Sequence, residues 1–180
     1  MAREPVCNRG SMPRVYLLRH AKSSWKDRSL ADRDRPLAGR GRRAARAMAV
    51  HMEAEGIRPD LVLCSPARRT RETLECLGTA LGHGVEARFD EELYGAGEAE
   101  LFGLLRALGD EVQSVVVIGH NPGLEDLAVA LASEGAELAR LREKYPTAAL
   151  ATIDLPADTW AAITRRSGEL VGYVRPRDLD

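Results

Sequence analysis

Three short runs along the chain, Val15 to Leu18, Leu61 to Cys64 and Val115 to Ile118, are apolar without interruption and rich in β-branched residues. Strands covered on both faces read this way, whereas a strand with one wet face alternates, so a sheet buried between helices is expected. Between the runs, apolar positions recur three and four residues apart. Ala44, Met48 and Met52 lie within Leu37 to Glu55; a second helical stretch covers Pro66 to Leu81; Leu101, Leu104, Leu105 and Leu108 lie within Glu98 to Leu108. That spacing lines one face of a helix, and Gly56, Gly82 and Gly109 stand where the helices should stop. A fourth helix should begin at Pro122 and run through Leu124, Leu127 and Leu131 towards Ser133.

The alternation predicts an α/β domain with a mostly parallel central sheet and helices on both faces. "ALATIDL" at 149–155 and "ELVGYV" at 169–174 are expected as further strands joined by a turn around Trp160, and "LREKYPT" at 141–147 as loop. Residues 1–11 show neither apolar periodicity nor a strand run and read as a disordered leader or a cloning remnant, which leaves 12–180 as a single domain.

Composition narrows the function. With 26 lysines and arginines against 27 acids, the net charge of −1 disfavours a polyanionic partner such as nucleic acid. The basic run "GRGRRAAR" at 39–46 falls within the first helix and reads as its charged outer face. No stretch approaches the roughly 18 apolar residues of a membrane span, so no membrane partner is expected. Cys7, Cys64 and Cys76 lack a C-x-x-C spacing, which suggests neither a disulfide framework nor a zinc site and fits a reducing cytoplasm.

Polar residues become informative where the strands end, because open α/β sheets bind ligands at the carboxyl ends of their strands. The first strand runs into Arg19 and His20. The second ends at Ser65, followed by Arg68 and Arg69, and the third at Gly119, His120 and Asn121. Arginine forks match phosphate oxygens without needing a metal. A histidine held among them, His20, can attack phosphorus through an unprotonated nitrogen, while His120 is suited to donate to the equatorial oxygens of the transferring group. Lys22, Ser23 and Asn121 are candidate substrate contacts at the mouth of the cleft. His51, within the first helix, and His83, in a "GHG" turn, read as structural.

These segments together resemble the histidine phosphatase superfamily, with its phosphoglycerate mutase-like fold. "LLRHAKSS" is similar to its Arg-His-Gly segment with Ala21 in the glycine place, "SPARRTRET" to its second motif with Arg69 and Thr73, and "VVVIGHNPGL" to the third with His120. "RHAKSSW", "DRPL" at 34–37 and the short length resemble the SixA-type phosphohistidine phosphatase branch. The resemblance implies a three-layer α/β/α domain, a phosphohistidine intermediate on His20, and Arg19, Arg69 and His120 holding the phosphoryl group. It implies no metal and no cofactor.

Many members of the family also carry a carboxylic acid that protonates the leaving oxygen, and here several residues compete for that place. Glu92 is the first choice, Glu91 its neighbour, and Asp34 and Asp27 stand further off; the acid could equally be missing. An alkoxide gains much from such an acid, whereas the imidazole leaving from phosphohistidine can already carry its proton. A missing acid and a short chain with little inserted sequence would both favour protein phosphohistidine, of the histidine-phosphotransfer type, as substrate. The alternatives are a phosphomonoesterase acting on a small phosphorylated metabolite, a mutase, and a non-catalytic phosphate-binding module.

Overall fold

The computed structural model describes residues 12–179. The leader expected at 1–11, and Cys7 with it, lies outside them. One seven-stranded sheet organises the chain, with strands β1 (Arg14–Arg19), β2 (Leu61–Cys64), β3 (Glu86–Phe89), β4 (Ser114–Gly119), β5 (Ala132–Glu134), β6 (Leu150–Asp154) and β7 (Gly168–Val174) in the order β3-β2-β4-β1-β6-β7-β5. β3, β2, β4 and β1 run parallel, β6 is antiparallel to both its neighbours, and β5 is parallel to β7. The mostly parallel three-layer α/β fold is therefore as expected.

The uninterrupted apolar runs have the anticipated physical cause. Successive side chains of a strand face opposite ways. Val15, Leu17, Val115 and Val117 enter one core with the helices α3 (Glu98–Arg106), α4 (Gly123–Leu131) and α5 (Leu138–Glu143). Tyr16, Leu18, Val116 and Ile118 enter the other with α1 (Gly39–Ala54) and α2 (Arg68–Leu77). Both faces of the sheet are thus dry.

Some elements differ from the sequence expectation. Helix α2 ends at Leu77, four residues early, because Gly78 takes up φ 54° and turns the chain left-handed, so Gly82 stops nothing. The segment at 141–147 is not all loop, since α5 takes its first three residues and buries Leu141. The fourth helix gives way to β5 at Ala132. β3 has four exposed residues and no apolar period, so nothing in its composition separates this edge strand from a loop. The turn at Trp160 is present as a short 3-10 helix, with the buried indole Nε1 donating to the Val112 carbonyl at 2.6 Å.

Register is what matters for the site. Arg19 of β1 pairs with Gly119 of β4, so His20 and His120, the next residue of each strand, leave the sheet side by side. Cys64 of β2 pairs with Ile118, which brings Ser65 to the same edge. The loop after β1 is pinned there: Ala38 N–H donates to the Lys22 carbonyl, and Ser23 forms an isolated bridge with Leu37. Helix α1 closes on this loop at Gly41, where an added Cβ would stand 2.2 Å from the Lys22 carbonyl oxygen.

Candidate active site

His20 is buried at the end of β1, and its Nδ1 lies 2.8 Å from the Ala21 carbonyl oxygen. A carbonyl only accepts, so Nδ1 carries the proton and Nε2 keeps its lone pair. Burial first, then the nearby His120, Arg69 and Arg19, depress its pKa to about 3 against the pull of the Ala21 carbonyl. The neutral ring with a free Nε2 is therefore the resident form at neutral pH.

His120 is set in the opposite tautomer. Arg69 Nη2 lies 3.2 Å from His120 Nδ1, and a guanidinium only donates, so Nδ1 accepts. The proton of the neutral ring then sits on Nε2 and is donated to Ser65 Oγ at 2.7 Å. Burial and the Arg69 charge push the His120 pKa down to about 4, with Asp32 pulling the other way. The two rings stand 5.2 Å apart at 54°, and Tyr94 meets His120 edge-on at 5.6 Å.

The arginines are held from behind. Arg19 Nη1 donates to the Tyr145 carbonyl at 2.7 Å, and Tyr145 is itself anchored through its hydroxyl to the Leu17 carbonyl of β1 at 2.6 Å. Burial pulls the Arg19 pKa below its ordinary value, against the opposing charge of Glu125. Arg69, buried at the start of α2, donates from Nη1 to the Asp32 carbonyl at 2.7 Å and from Nη2 to the Asp32 carboxylate at 3.0 Å. The Nε of Arg19 and that of Arg69 are both buried without a hydrogen-bond partner. Thr73, one turn along α2, donates to the Arg69 carbonyl and accepts from Ala21 N–H, tying the second motif to the first. Glu72, the residue before it, ties α2 to the start of α1 by accepting from Leu37 N–H and Arg42, and it accepts also from Arg68 of its own helix.

The structure brings Arg19, His20, Arg69 and His120 together. Asn121 is adjacent, donating to Glu125 at 2.7 Å and to the Tyr145 carbonyl that Arg19 also uses. Lys22 lies on the same side as Arg19, along a shared cavity. Ser23 is buried in the bridge to Leu37 rather than lining the mouth.

The expected carboxylates are not joined to the cluster by hydrogen bonds. Glu92 is exposed and contributes its backbone N–H to Asp90; Glu91 pairs with Arg33 at 2.5 Å. The carboxylate that does reach the arginine is Asp32, which the sequence reading passed over for Asp34 two residues on. Asp32 accepts from Tyr94 Oη at 2.9 Å and pairs with Arg35 at 2.9 Å. Burial raises its pKa, but Tyr94, Arg69 and Arg35 outweigh that and hold it below the ordinary carboxylate value. Its signal was present in "DRDRPL", yet on the short 3-10 turn at Asp32–Asp34 only Asp32 bonds Arg69, while the exposed Asp34 side chain forms no hydrogen bond or ion pair among the described residues. Among the described residues, no three His, Cys, Asp or Glu side chains come together as a metal-ligating set.

Residues 15–106 match the model of the histidine phosphatase superfamily, branch 1. The chain belongs to the histidine phosphatase superfamily. An uncharacterised protein of Mycobacterium tuberculosis is 38% identical over 164 residues, covering 89% of this chain and all of that one. The phosphohistidine phosphatase SixA of Escherichia coli is 34% identical over 110 residues, 60% of this chain and 67% of SixA. Among solved structures, the protein named SixA in Agrobacterium tumefaciens superposes with a TM-score of 0.78 at 32% identity, covering 93% of this chain and 100% of the other. A protein histidine phosphatase SixA complexed with tungstate gives 0.75 at 26% identity, with 93% and 99% covered. This histidine phosphatase is thus a phosphatase close in fold to the SixA structures. No helix among its described residues is long and apolar enough to cross a membrane.

Proposed function

We propose that the protein removes phosphoryl groups from protein phosphohistidine, by way of a phosphohistidine intermediate on His20. The observation that carries this reading is the Nε2 lone pair of His20, fixed by the Nδ1 contact with the Ala21 carbonyl and placed beside two arginines and His120. In the first step Nε2 attacks phosphorus, the P–N bond to the substrate imidazole breaks, and that imidazole departs carrying the bonding electron pair and its proton. In the second, water attacks the phosphoryl group on Nε2, releases inorganic phosphate and returns His20 to its neutral form. Arg19 and Arg69 neutralise the transferring oxygens. That a protein histidine phosphatase SixA of similar fold has been solved in complex with tungstate, a tetrahedral oxyanion, is consistent with this reading.

The choice of phosphohistidine over an ester rests on the acid. The carboxylate that bonds Arg69, Asp32, is held ionised by Tyr94, Arg69 and Arg35 and carries no proton to give at neutral pH. A leaving alkoxide would need one, and a protonated imidazole does not. The test compares kcat/KM for a phosphorylated histidine-phosphotransfer domain with a panel of small phosphomonoesters. A clear preference for the phosphorylated domain is expected; a strong preference for the esters would overturn the substrate assignment and favour a metabolite phosphatase.

A further inference from the structure

Beside the His20 cluster the surface opens into a cavity of about 480 Å³ in which six of the ten lining residues are cationic. Arg19, Lys22, Arg40, Lys144, Arg175 and Arg177 line it, and no carboxylate does. These residues come from separate places in the chain: the end of β1 and the loop after it, the first turn of α1, the segment after α5 and the segment after β7. In a chain with a net charge of −1, such a concentration of one sign is a local feature with a local cause.

Two of the six are accounted for by the molecule itself. Arg19 belongs to the phosphoryl site, and Arg175 is buried against Asp178, which takes hydrogen bonds from its Nε and Nη2 at 3.1 Å each. Lys22, Arg40, Lys144 and Arg177 form no ion pair among the described residues. Four like charges gathered around one open cavity repel each other and are stabilised by an anionic occupant. Arg19 is common to the cavity and to the catalytic cluster, so whatever fills the first lies directly beside the group that reacts in the second.

We propose that this groove docks acidic side chains, aspartate or glutamate, of the polypeptide that bears the phosphoryl group. The inference rests on the protein-phosphohistidine reading and adds the recognition element to it. The distribution of the cations decides between occupants. A second phosphate on a small substrate calls for donors converging on one point, as Arg19 and Arg69 do around the reacting group. Arg40, Lys144 and Arg177 instead stand exposed around the rim on long stems, over a floor that includes Pro146 and Pro176. Carboxylates spread along a peptide match that spacing, and the exposed cations would also steer an acidic partner towards Arg19.

The experiment uses the variant Arg40→Ser, Lys144→Ser, Arg177→Ser, which leaves the residues of the phosphoryl site untouched. Two phosphohistidine peptides are compared, one with glutamates flanking the histidine and one with glutamines in their place. The wild type is expected to prefer the acidic peptide by about tenfold in kcat/KM, a preference lost in the variant and on raising salt to about 0.5 M. Turnover of an aryl phosphate should be the same in both proteins, which shows that the variant is folded. Equal use of the two peptides by the wild type, or an undiminished preference in the variant, overturns the proposal.

Binding of the fluorescently labelled, unphosphorylated acidic peptide separates this inference from the reading beneath it. If the peptide binds the wild type and not the variant, yet neither phosphopeptide is hydrolysed, the groove stands and the phosphohistidine assignment falls. If tripolyphosphate binds in a manner that depends on the three cations and the acidic peptide does not bind at all, the groove serves a small polyanion and the proposal is wrong.

Discussion

Asp32 holds Arg69 twice, through its main-chain carbonyl to Nη1 at 2.7 Å and through its carboxylate to Nη2 at 3.0 Å. The same Nη2 faces His120 Nδ1. An anion belonging to the protein therefore sits on the guanidinium that, in the proposed mechanism, a phosphoryl group also engages. The carbonyl fixes the orientation of Arg69 and the carboxylate tempers its charge.

Asp32→Asn keeps the carbonyl contact and removes the charge. The side chain is half exposed, so the opposing energy is near the solvent-screened value of about 1 kcal/mol. Inorganic phosphate should then inhibit the variant at roughly fivefold lower concentration than the wild type. Unchanged product inhibition would show that Asp32 does not compete for Arg69.

The two active-site histidines should be opposite tautomers near neutral pH, His20 protonated on Nδ1 and His120 on Nε2. Long-range proton–nitrogen correlation spectra on labelled protein read this directly. Ser65→Ala removes the acceptor of the His120 proton, and its His120 signals should move while those of His20 stay.

Acid should destabilise the fold earlier than it does in proteins with exposed histidines. Both pKa values are lowered in the folded state, to about 3 for His20 and about 4 for His120. The unfolded chain, with histidines near 6.5, binds more protons in between, so the stability is complete above about pH 6.5 and is lost as pH falls from there towards about 4 for His120 and about 3 for His20. Each histidine contributes a slope of up to about 1.4 kcal/mol per pH unit. Urea unfolding at several pH values should show that slope reduced in His120→Ala, and an equal slope in both proteins would refute the linkage.

Much of this was legible in the sequence because the chemistry lies directly after strands that announce themselves. Val15–Leu18 and Val115–Ile118 are apolar at every position; Arg19 and His20 follow the first directly, and His120 follows the second after a single glycine. What was not legible depends on loops brought together from far apart. Asp32 reaches Arg69 across 37 residues and Tyr94 reaches Asp32 across 62, through side-chain directions that no local period encodes. β3 was missed for a different reason, being an exposed edge strand whose partner supplies its order.

Gly41 marks the closest approach of α1 to the loop that carries Lys22. In Gly41→Ala the new methyl would meet the Lys22 carbonyl oxygen at 2.2 Å and its neighbouring backbone atoms at 3.0 Å, and backbone cannot swing aside as a side chain can. A loss of about 1–3 kcal/mol is expected, together with lower activity because the loop begins at His20. Thermal unfolding and aryl phosphate turnover measure the two effects, and a variant as stable and active as the wild type would contradict the packing described.

The central claim is that phosphorus passes through His20. Rapid mixing with labelled phosphohistidine peptide, quenching in alkali and mapping the labelled peptide reads it within one turnover. The expected result is an acid-labile, alkali-stable phosphate on the fragment containing His20, formed and discharged at rates consistent with kcat and absent from His20→Ala. Wild-type turnover by His20→Ala, or label on another residue, would contradict it.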